Sequence, residues 1–424
     1  MKTNHIIAPA KILLPGEKVD LSRWAVLACD QFTSQPDYWE QVSKLVAGAP
    51  SCLDLILPEV WLDQPDVDQR IAAIHRAMEK ALDHTLTRVV EGMIYLRRTT
   101  ASGTREGLVA VVDLEQYSYD PAAEPLIRPT ERTVTERIPP RLAVRRGAPL
   151  ETPHILMLVD DPKNTLLGPL AAAATQHSPL YDTPLMLGGG SITGWAVTDP
   201  TLIAGAVQAV EAFAAHPGPD GRPPIALAVG DGNHSLATAK AWWEEIKTSL
   251  TPAEAACHPA RYCLVEIENI HDPAIQFEPI HRAIFGADPA ALRVEMEQFF
   301  AAQRAQLTFG CAASGTQHFS LLDQNGETIC ALEGARWPLC VGSIEAFLAE
   351  WQPAHPGARV DYIHGEAALR DLAAQGAVCL LLPPFEKSDL FRGVYLGGVL
   401  PKKTFSMGHA EEKRYYLECR SIRH

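Results

Sequence analysis

The sequence predicts an α+β fold with a main domain and a smaller second lobe, on three observations. Short apolar runs suited to buried strands recur at 154–159, 225–230 and 261–267, and segments with apolar residues at helical spacing lie among them, notably 67–86, 200–215 and 234–243. Met93 to Arg98 and Gly107 to Leu114 read as a hairpin closed by Ser102-Gly103. A composition shift at Gly286-Ala-Asp-Pro divides the chain into 1–285 and 286–424.

Taken in order, Trp24 to Ala28 is a strand candidate followed by a polar loop, Cys29-Asp-Gln-Phe-Thr-Ser-Gln. Polar loops after buried strands often bind ligands in α/β proteins, although Asp30 and Thr33 also serve as turn formers. Pro36 opens a helix with Ser34 as its cap. The charged stretch Leu126 to Arg141 comes next, with Thr130 placed to cap a helix. Either its charges pair along a solvated helix, or Arg128 and Glu131 turn inward as a fixed cation and a base. Asp160-Asp161 ends the 154–159 strand as a helix cap or a Mg²⁺ ligand pair, and Leu185 to Val197 reads as two strands around a glycine turn. Beyond 286, a helix over 290–306, strands near 317–322 and 328–333 and a helix from Ser343 complete the second lobe.

Composition bounds the function. The 424-residue chain carries a formal net charge of −14, which disfavours nonspecific binding to nucleic acid or an acidic membrane surface. The 1–16 segment lacks the continuous apolar core of a signal peptide, and no run is long enough to span a bilayer. A cytoplasmic protein acting on small molecules is the expectation, with the oligomeric state left open. Nine cysteines without a Cys-x-x-Cys pair argue against a disulfide framework and a zinc knuckle. Cys29 stands where a nucleophile could, but no adjacent basic residue or helix start would lower its pKa.

The stretch Ile225 to Trp243 carries the strongest chemical signal. An apolar strand ends in Gly-Asp-Gly and passes at once into a helix, so the free N–H groups of the first helical turn would favour an anion. Asp231, Asn233 and His234 crowd that mouth. Asp231 or Asn233 would equally serve as a plain helix cap. In the tail, Lys402, Lys403, Ser406 and His409 place cationic and hydroxyl groups beside a glycine, as a phosphate site or a lysine-rich surface loop would.

The combination Trp24-Ala-Val-Leu-Ala-Cys-Asp-Gln, Arg128-Pro-Thr-Glu, Arg137-Ile-Pro-Pro-Arg, Asp231-Gly-Asn-His, Phe277-Glu-Pro-Ile-His-Arg and Leu400-Pro-Lys-Lys-Thr-Phe closely resembles a bacterial family known as domain of unknown function 1015. Its Asp-Gly-x-His element in turn resembles a signature of the ParB-like superfamily, which includes ADP-dependent free-serine kinases. This likeness implies a mixed-sheet ParB-like nucleotide-site core. It places Asp231, Gly232 and His234 at a phosphate site. The serine-kinase signature reads Asp-Gly-His-His-Arg, whereas here Asn233 replaces the first His and Ser235 the Arg, so a cation must come from elsewhere: Arg128, Arg282 or Lys403.

The resulting expectation is a phosphotransferase between ADP or ATP and a small hydroxylated metabolite, with serine and phosphoserine suggested by the family likeness. Gly232, Asn233, His234 and Ser235 would contact phosphate, Asp231 would hold Mg²⁺ or a proton, Glu131 would act as base, and Arg128 and Lys403 would neutralise charge, with Arg282 in reserve. Arg128 and Glu131 are expected to converge on the 231–234 turn, and Lys402, Lys403 and Ser406 to fold back over it. The alternatives are a non-catalytic sensor of a phosphorylated metabolite and a phosphomonoester hydrolase; a metal-dependent hydrolase using His281 or His364 ranks below them, because no two His residues fall at helical ligand spacing.

Overall fold

The computed structural model describes residues 5–33, 35–310, 316–401 and 403–423. It is a mixed α+β structure of two compact units, 1–276 with 408–424, and 277–407. The division thus falls at 276/277 rather than at 285/286, and the tail joins the first unit. The reason is local: Phe277–Phe285 is one continuous strand of the second unit's sheet, so Gly286 ends a strand instead of opening a linker.

In the first unit, ten strands among the described residues form one sheet. From one edge the order is Ile127–Pro129, Leu227–Asp231, Leu156–Val159, Tyr262–Asn269, Gly103–Asp113, Arg88–Thr100, Ser191–Val197 and Tyr181–Pro184, while Ile7–Ala8 and Ala10–Leu14 pair with the long hairpin. The hairpin closes at Thr100 and Gly103. Alternation along its strands sends Ile94, Leu96, Val109 and Val111 to one face and Met93, Tyr95, Leu108, Ala110 and Val112 to the other. Both faces are apolar because both are covered: one by Trp24, Trp39 and the Val67–Lys80 helix, the other by the Leu167–Ala174, Pro200–Phe213 and Asn233–Lys247 helices.

Several local expectations change. Only Val26–Leu27 of the 24–28 stretch is a strand, because Leu21–Trp24 forms a helical turn capped by Asp20. Thr130 caps no helix; its hydroxyl donates to the Val229 carbonyl at 2.6 Å. Ser34 lies outside the described residues, and Gln35 precedes the Pro36–Val46 helix without a side-chain cap. Asp161 accepts the Leu166 N–H and the Thr165 hydroxyl, which is the capping role, while Asp160 pairs with His271.

The glycine turn between Tyr181–Pro184 and Ser191–Val197 makes Gly190 indispensable: its φ is +72°, and a Cβ there would lie 1.9 Å from the Thr99 carbonyl oxygen. Gly190→Ala is expected to destabilise by roughly 2–4 kcal/mol, combining left-handed strain with overpacking. Urea denaturation of the two proteins checks this.

The tail is laid along the first unit strand by strand. Tyr415–Tyr416 pairs with Val26–Leu27, Cys419 bridges to Leu13, and Arg420–Ser421 pairs with Leu150–Glu151. The second unit is an antiparallel sheet in the order Gln306–Phe309, Gly326–Glu333, Gln317–Asp323, Val378–Leu381, Phe277–Phe285, Arg359–His364, with Phe405–Met407 beside the start of Phe277–Phe285. The Pro289–Ala302 and Cys340–Ala354 helices pack on one face and Glu366–Ala374 on the other. Among the described residues, no helix is long and apolar enough to cross a membrane.

Candidate functional site

Topology brings three chain segments to one end of the Leu227–Asp231 strand. Ile127–Pro129 runs parallel to it, so the chain leaving that strand, Thr130 to Val134, passes beside the 231–235 turn. Leu156–Val159 runs antiparallel, so the residues entering it, His154 and Ile155, flank the turn on the other side. The register shifts between Val229 and Asp231, an irregularity of the kind that re-aims side chains at sites.

Gly232 then takes φ +80° as the first residue of the turn into the Asn233–Lys247 helix. A Cβ there would come 3.1 Å from the Ile155 Cα and 3.2 Å from the His154 ring, so both conformation and space require glycine. Among the described residues no side chain caps this helix, and neither Asp231 nor Asn233 performs the plain capping role. The buried Asn233 Oδ1 accepts no hydrogen bond from a described residue.

The tail supplies a cation. The Ala28 N–H bonds the Arg414 carbonyl at 2.9 Å, which fixes the tail at the end of the Val26–Leu27 strand. From there Lys413 Nζ reaches to 3.6 Å from Asp231 Oδ2. The same lysine acts on Asp30. Burial opposes the Asp30 charge, but His154, Gln31 and Lys413 outweigh it and hold the carboxyl below its usual range.

His154, only 6% exposed, links the segments: Nε2 lies 2.7 Å from the Ser235 hydroxyl and 3.8 Å from Asp30 Oδ2, and Nδ1 lies 2.5 Å from the Tyr416 hydroxyl. His154, Ser235 and Tyr416 border a cavity of about 150 Å³, lined mainly by apolar side chains such as Leu55, Leu57 and Met78, with the Glu59–Arg141 ion pair at its wall. Cys29 also lines it, but burial pushes its thiol well up and leaves it an inert neutral group.

His234 is half-buried, and its Nε2 accepts the Val134 N–H at 3.2 Å. Burial, then Arg141 and Arg137, push its pKa down to about 4. The folded state therefore keeps it neutral while the unfolded chain binds a proton below about pH 6.5. Stability associated with His234 is intact above that pH and is lost as pH falls toward 4. His234→Gln is expected to flatten the decline in unfolding midpoint between pH 6.5 and 4, as read by urea titrations across that window.

The sequence-predicted residues are placed as follows. Asp231, Gly232, Asn233, His234 and Ser235 stand together at the turn. Arg128 sits on the adjacent strand, but it donates to the carbonyls of Pro125 and Pro223, at the entry ends of the two strands and away from the turn. Glu131 is half-buried, directly after Thr130, whose hydroxyl is tied to Val229. Arg282 belongs to the second unit, fully buried over the Tyr362 ring and bonded to Glu345 at 2.9 Å and to the Lys403 carbonyl at 3.1 Å. Ser406 pairs with Glu278 in that unit's sheet, Lys403 adopts φ +55°, and Lys402 lies outside the described residues.

Sequence reasoning did not single out His154, Lys413 or Tyr416 and treated Asp30 as one loop residue among several. The available signals were Asp30 following a buried strand and His154 opening one. Nothing local marks Lys413 over Lys403.

The mixed sheet and its turn define a class: an α+β protein whose polar centre lies where a sheet strand passes through glycine into an uncapped helix. The chain belongs to the family described as protein of unknown function (DUF1015), which it matches over residues 7–344. No curated protein matches it significantly. Among solved structures it is similar to a free serine kinase in complex with AMP, with 10% identity, a TM-score of 0.39 and coverage of 73% of this chain and 90% of that one. A mutant free serine kinase with ADP gives 10% identity and a TM-score of 0.40, covering 73% and 91%. A conserved hypothetical protein from Pyrococcus furiosus gives 12% identity and a TM-score of 0.34, covering 73% and 90%.

Proposed function

We propose that the protein is a phosphotransferase acting between ADP or ATP and a small hydroxylated metabolite, with serine and phosphoserine as the first pair to try. The observation that carries this reading is the uncapped start of the Asn233–Lys247 helix with Lys413 3.6 Å from Asp231 beside it. The N–H groups of a helix start and a lysine are what a transferring phosphoryl group requires, and Asn233 and a neutral His234 add polar groups without a second negative charge. Lys413 takes the charge-neutralising role first considered for Arg128 and Lys403. Glu131, on the segment passing the turn, is the base proposed for the acceptor hydroxyl.

No group of three potential metal ligands gathers among the described residues, so they form no protein-only metal cage. Asp231 Oδ2 accepts no hydrogen bond from a described residue and has Lys413 at 3.6 Å; Asp231 is the carboxylate that would hold Mg²⁺, with water and phosphate oxygens as the ion's other ligands, and the ion would supply charge neutralisation.

Thermal-shift measurements with ADP, ATP and phosphoserine, each with and without Mg²⁺, test the reading. A ligand at 100 times its Kd should stabilise by about 2.7 kcal/mol. Turnover of serine with ATP, or phosphoserine with ADP, followed by phosphorus NMR, then establishes transfer. Saturable binding without product from any tested hydroxylated acceptor would reassign the site to sensing, and no response to any nucleotide would remove the phosphotransferase reading.

A further inference from the structure

The Ser235 hydroxyl has surroundings beyond those needed to contact phosphate. It stands in the first turn of the Asn233–Lys247 helix, borders the 150 Å³ cavity, and lies 2.7 Å from Nε2 of a histidine that is 6% exposed. That imidazole is held at its other nitrogen, 2.5 Å from the Tyr416 hydroxyl, and the Tyr416 oxygen also accepts the Cys29 N–H at 3.1 Å. When Nδ1–H donates to Tyr416, Nε2 is left with its lone pair directed at Ser235. A hydroxyl beside a base whose far side is oriented by a third group is the arrangement that activates a serine nucleophile. Asp30 Oδ2, 3.8 Å from the same Nε2, is placed to stabilise an imidazolium once the proton has moved.

We infer that Ser235 is a covalent phosphoryl acceptor, with His154 as its general base and Tyr416 as the residue that positions the base. This rests on the phosphotransferase reading above and specifies its path as two transfers in place of one. In the first, Ser235 Oγ attacks the terminal phosphorus of the nucleotide. The Oγ–P bond forms, the bridging P–O bond breaks with its electron pair leaving on the shortened nucleotide, and the serine proton passes to His154 Nε2. In the second, an acceptor hydroxyl attacks the same phosphorus, its proton passes to Glu131, the Oγ–P bond breaks, and Oγ recovers its proton from His154. Lys413 and the helix start face the phosphoryl oxygens in both halves.

The test uses the full chain with Mg²⁺ and either ATP or ADP labelled in the terminal phosphate, quenched in acid and analysed by intact mass and peptide mapping. The expected result is an acid-stable, alkali-labile phosphate on Ser235 that is absent from Ser235→Ala. His154→Gln should slow labelling about 100-fold, the scale of a lost general base. Tyr416→Phe keeps the ring but removes the acceptor from Nδ1 and from the Cys29 N–H, and should shift the pH profile of labelling, read well below the variant's own melting temperature. It also keeps the test decisive if His154→Gln does not fold.

Nucleotide-induced stabilisation of the parent with no phosphate on Ser235, or with phosphate only elsewhere, overturns the inference and leaves the phosphotransferase reading standing. Labelling of Ser235 that neither His154→Gln nor Tyr416→Phe alters overturns the base assignment. Absence of both stabilisation and label removes the reading and the inference together.

Discussion

Arg414→Met is expected to destabilise the first unit by about 3–5 kcal/mol, the largest effect of any single substitution considered, because it removes one partner from a buried ionic cluster. Arg414 is 1% exposed, with Nε 2.8 Å from Glu266 Oε2 and its other side on Glu418, which also receives the Tyr181 hydroxyl. Glu268, fully buried, pairs with Arg105 at 2.7 Å. Burial, followed in smaller measure by Glu266, raises the Glu268 pKa to about 8 against the opposing pull of Arg105.

With Arg414 gone, Glu266 and Glu418 stay buried without the cation that pairs with both. Methionine fills volume but satisfies neither. Equilibrium denaturation at pH 7 reads the cost; a change under about 1 kcal/mol would show that water enters or the carboxylates take up protons. Glu268 adds its own pH dependence with the opposite sign to His234. Its folded pKa lies above its usual value, so the stability it contributes is present at low pH and declines as pH rises from about 4.5 to about 8.

Lys413→Met should weaken ADP affinity by roughly 10–100-fold, equivalent to 1.5–3 kcal/mol for a lost hydrogen bond to a charged group. Lys413 is 7% exposed and also acts on Asp30, so the variant's unfolding midpoint is measured alongside to separate lost affinity from lost stability. Calorimetric titration at fixed salt is the measurement, because exposed phosphate contacts depend on ionic strength. Lys403→Met is the matched comparison. Unchanged affinity in Lys413→Met with a loss in Lys403→Met would transfer the cation's role to the 277–407 segment.

The strand-turn-helix around Asp231 was legible because its signals are local: an apolar run, a Gly-Asp-Gly break and helical spacing sit within one short stretch. The hairpin of Arg88–Thr100 and Gly103–Asp113 was legible for the same reason. What was not legible depends on pairing at long range. Tyr416 meets His154 across 262 positions, and Lys413 meets Asp231 only because the tail pairs with Val26–Leu27. Arg128 illustrates the converse: its neighbours in sequence suggested an inward cation, but the carbonyls that bind it belong partly to Pro223, on a segment the local pattern does not connect to it.

Gly408 N–H bonds the Gln276 carbonyl at 3.1 Å, and Phe277 pairs with Met407. The two ends of the intervening segment are therefore adjacent, and the first unit is interrupted by an insert that enters and leaves at one point. If that insert folds first, it acts as a staple, sparing the first unit a loop-closure cost of about 4 kcal/mol on a (3/2)RT ln n scaling. The staple is replaceable in principle: a two- or three-residue linker from Gln276 to Gly408 would hold the same ends. Nucleation in the insert would then set the rate at which Lys413 and Tyr416 reach their partners, and refolding of the excised protein would report the first unit's own kinetics.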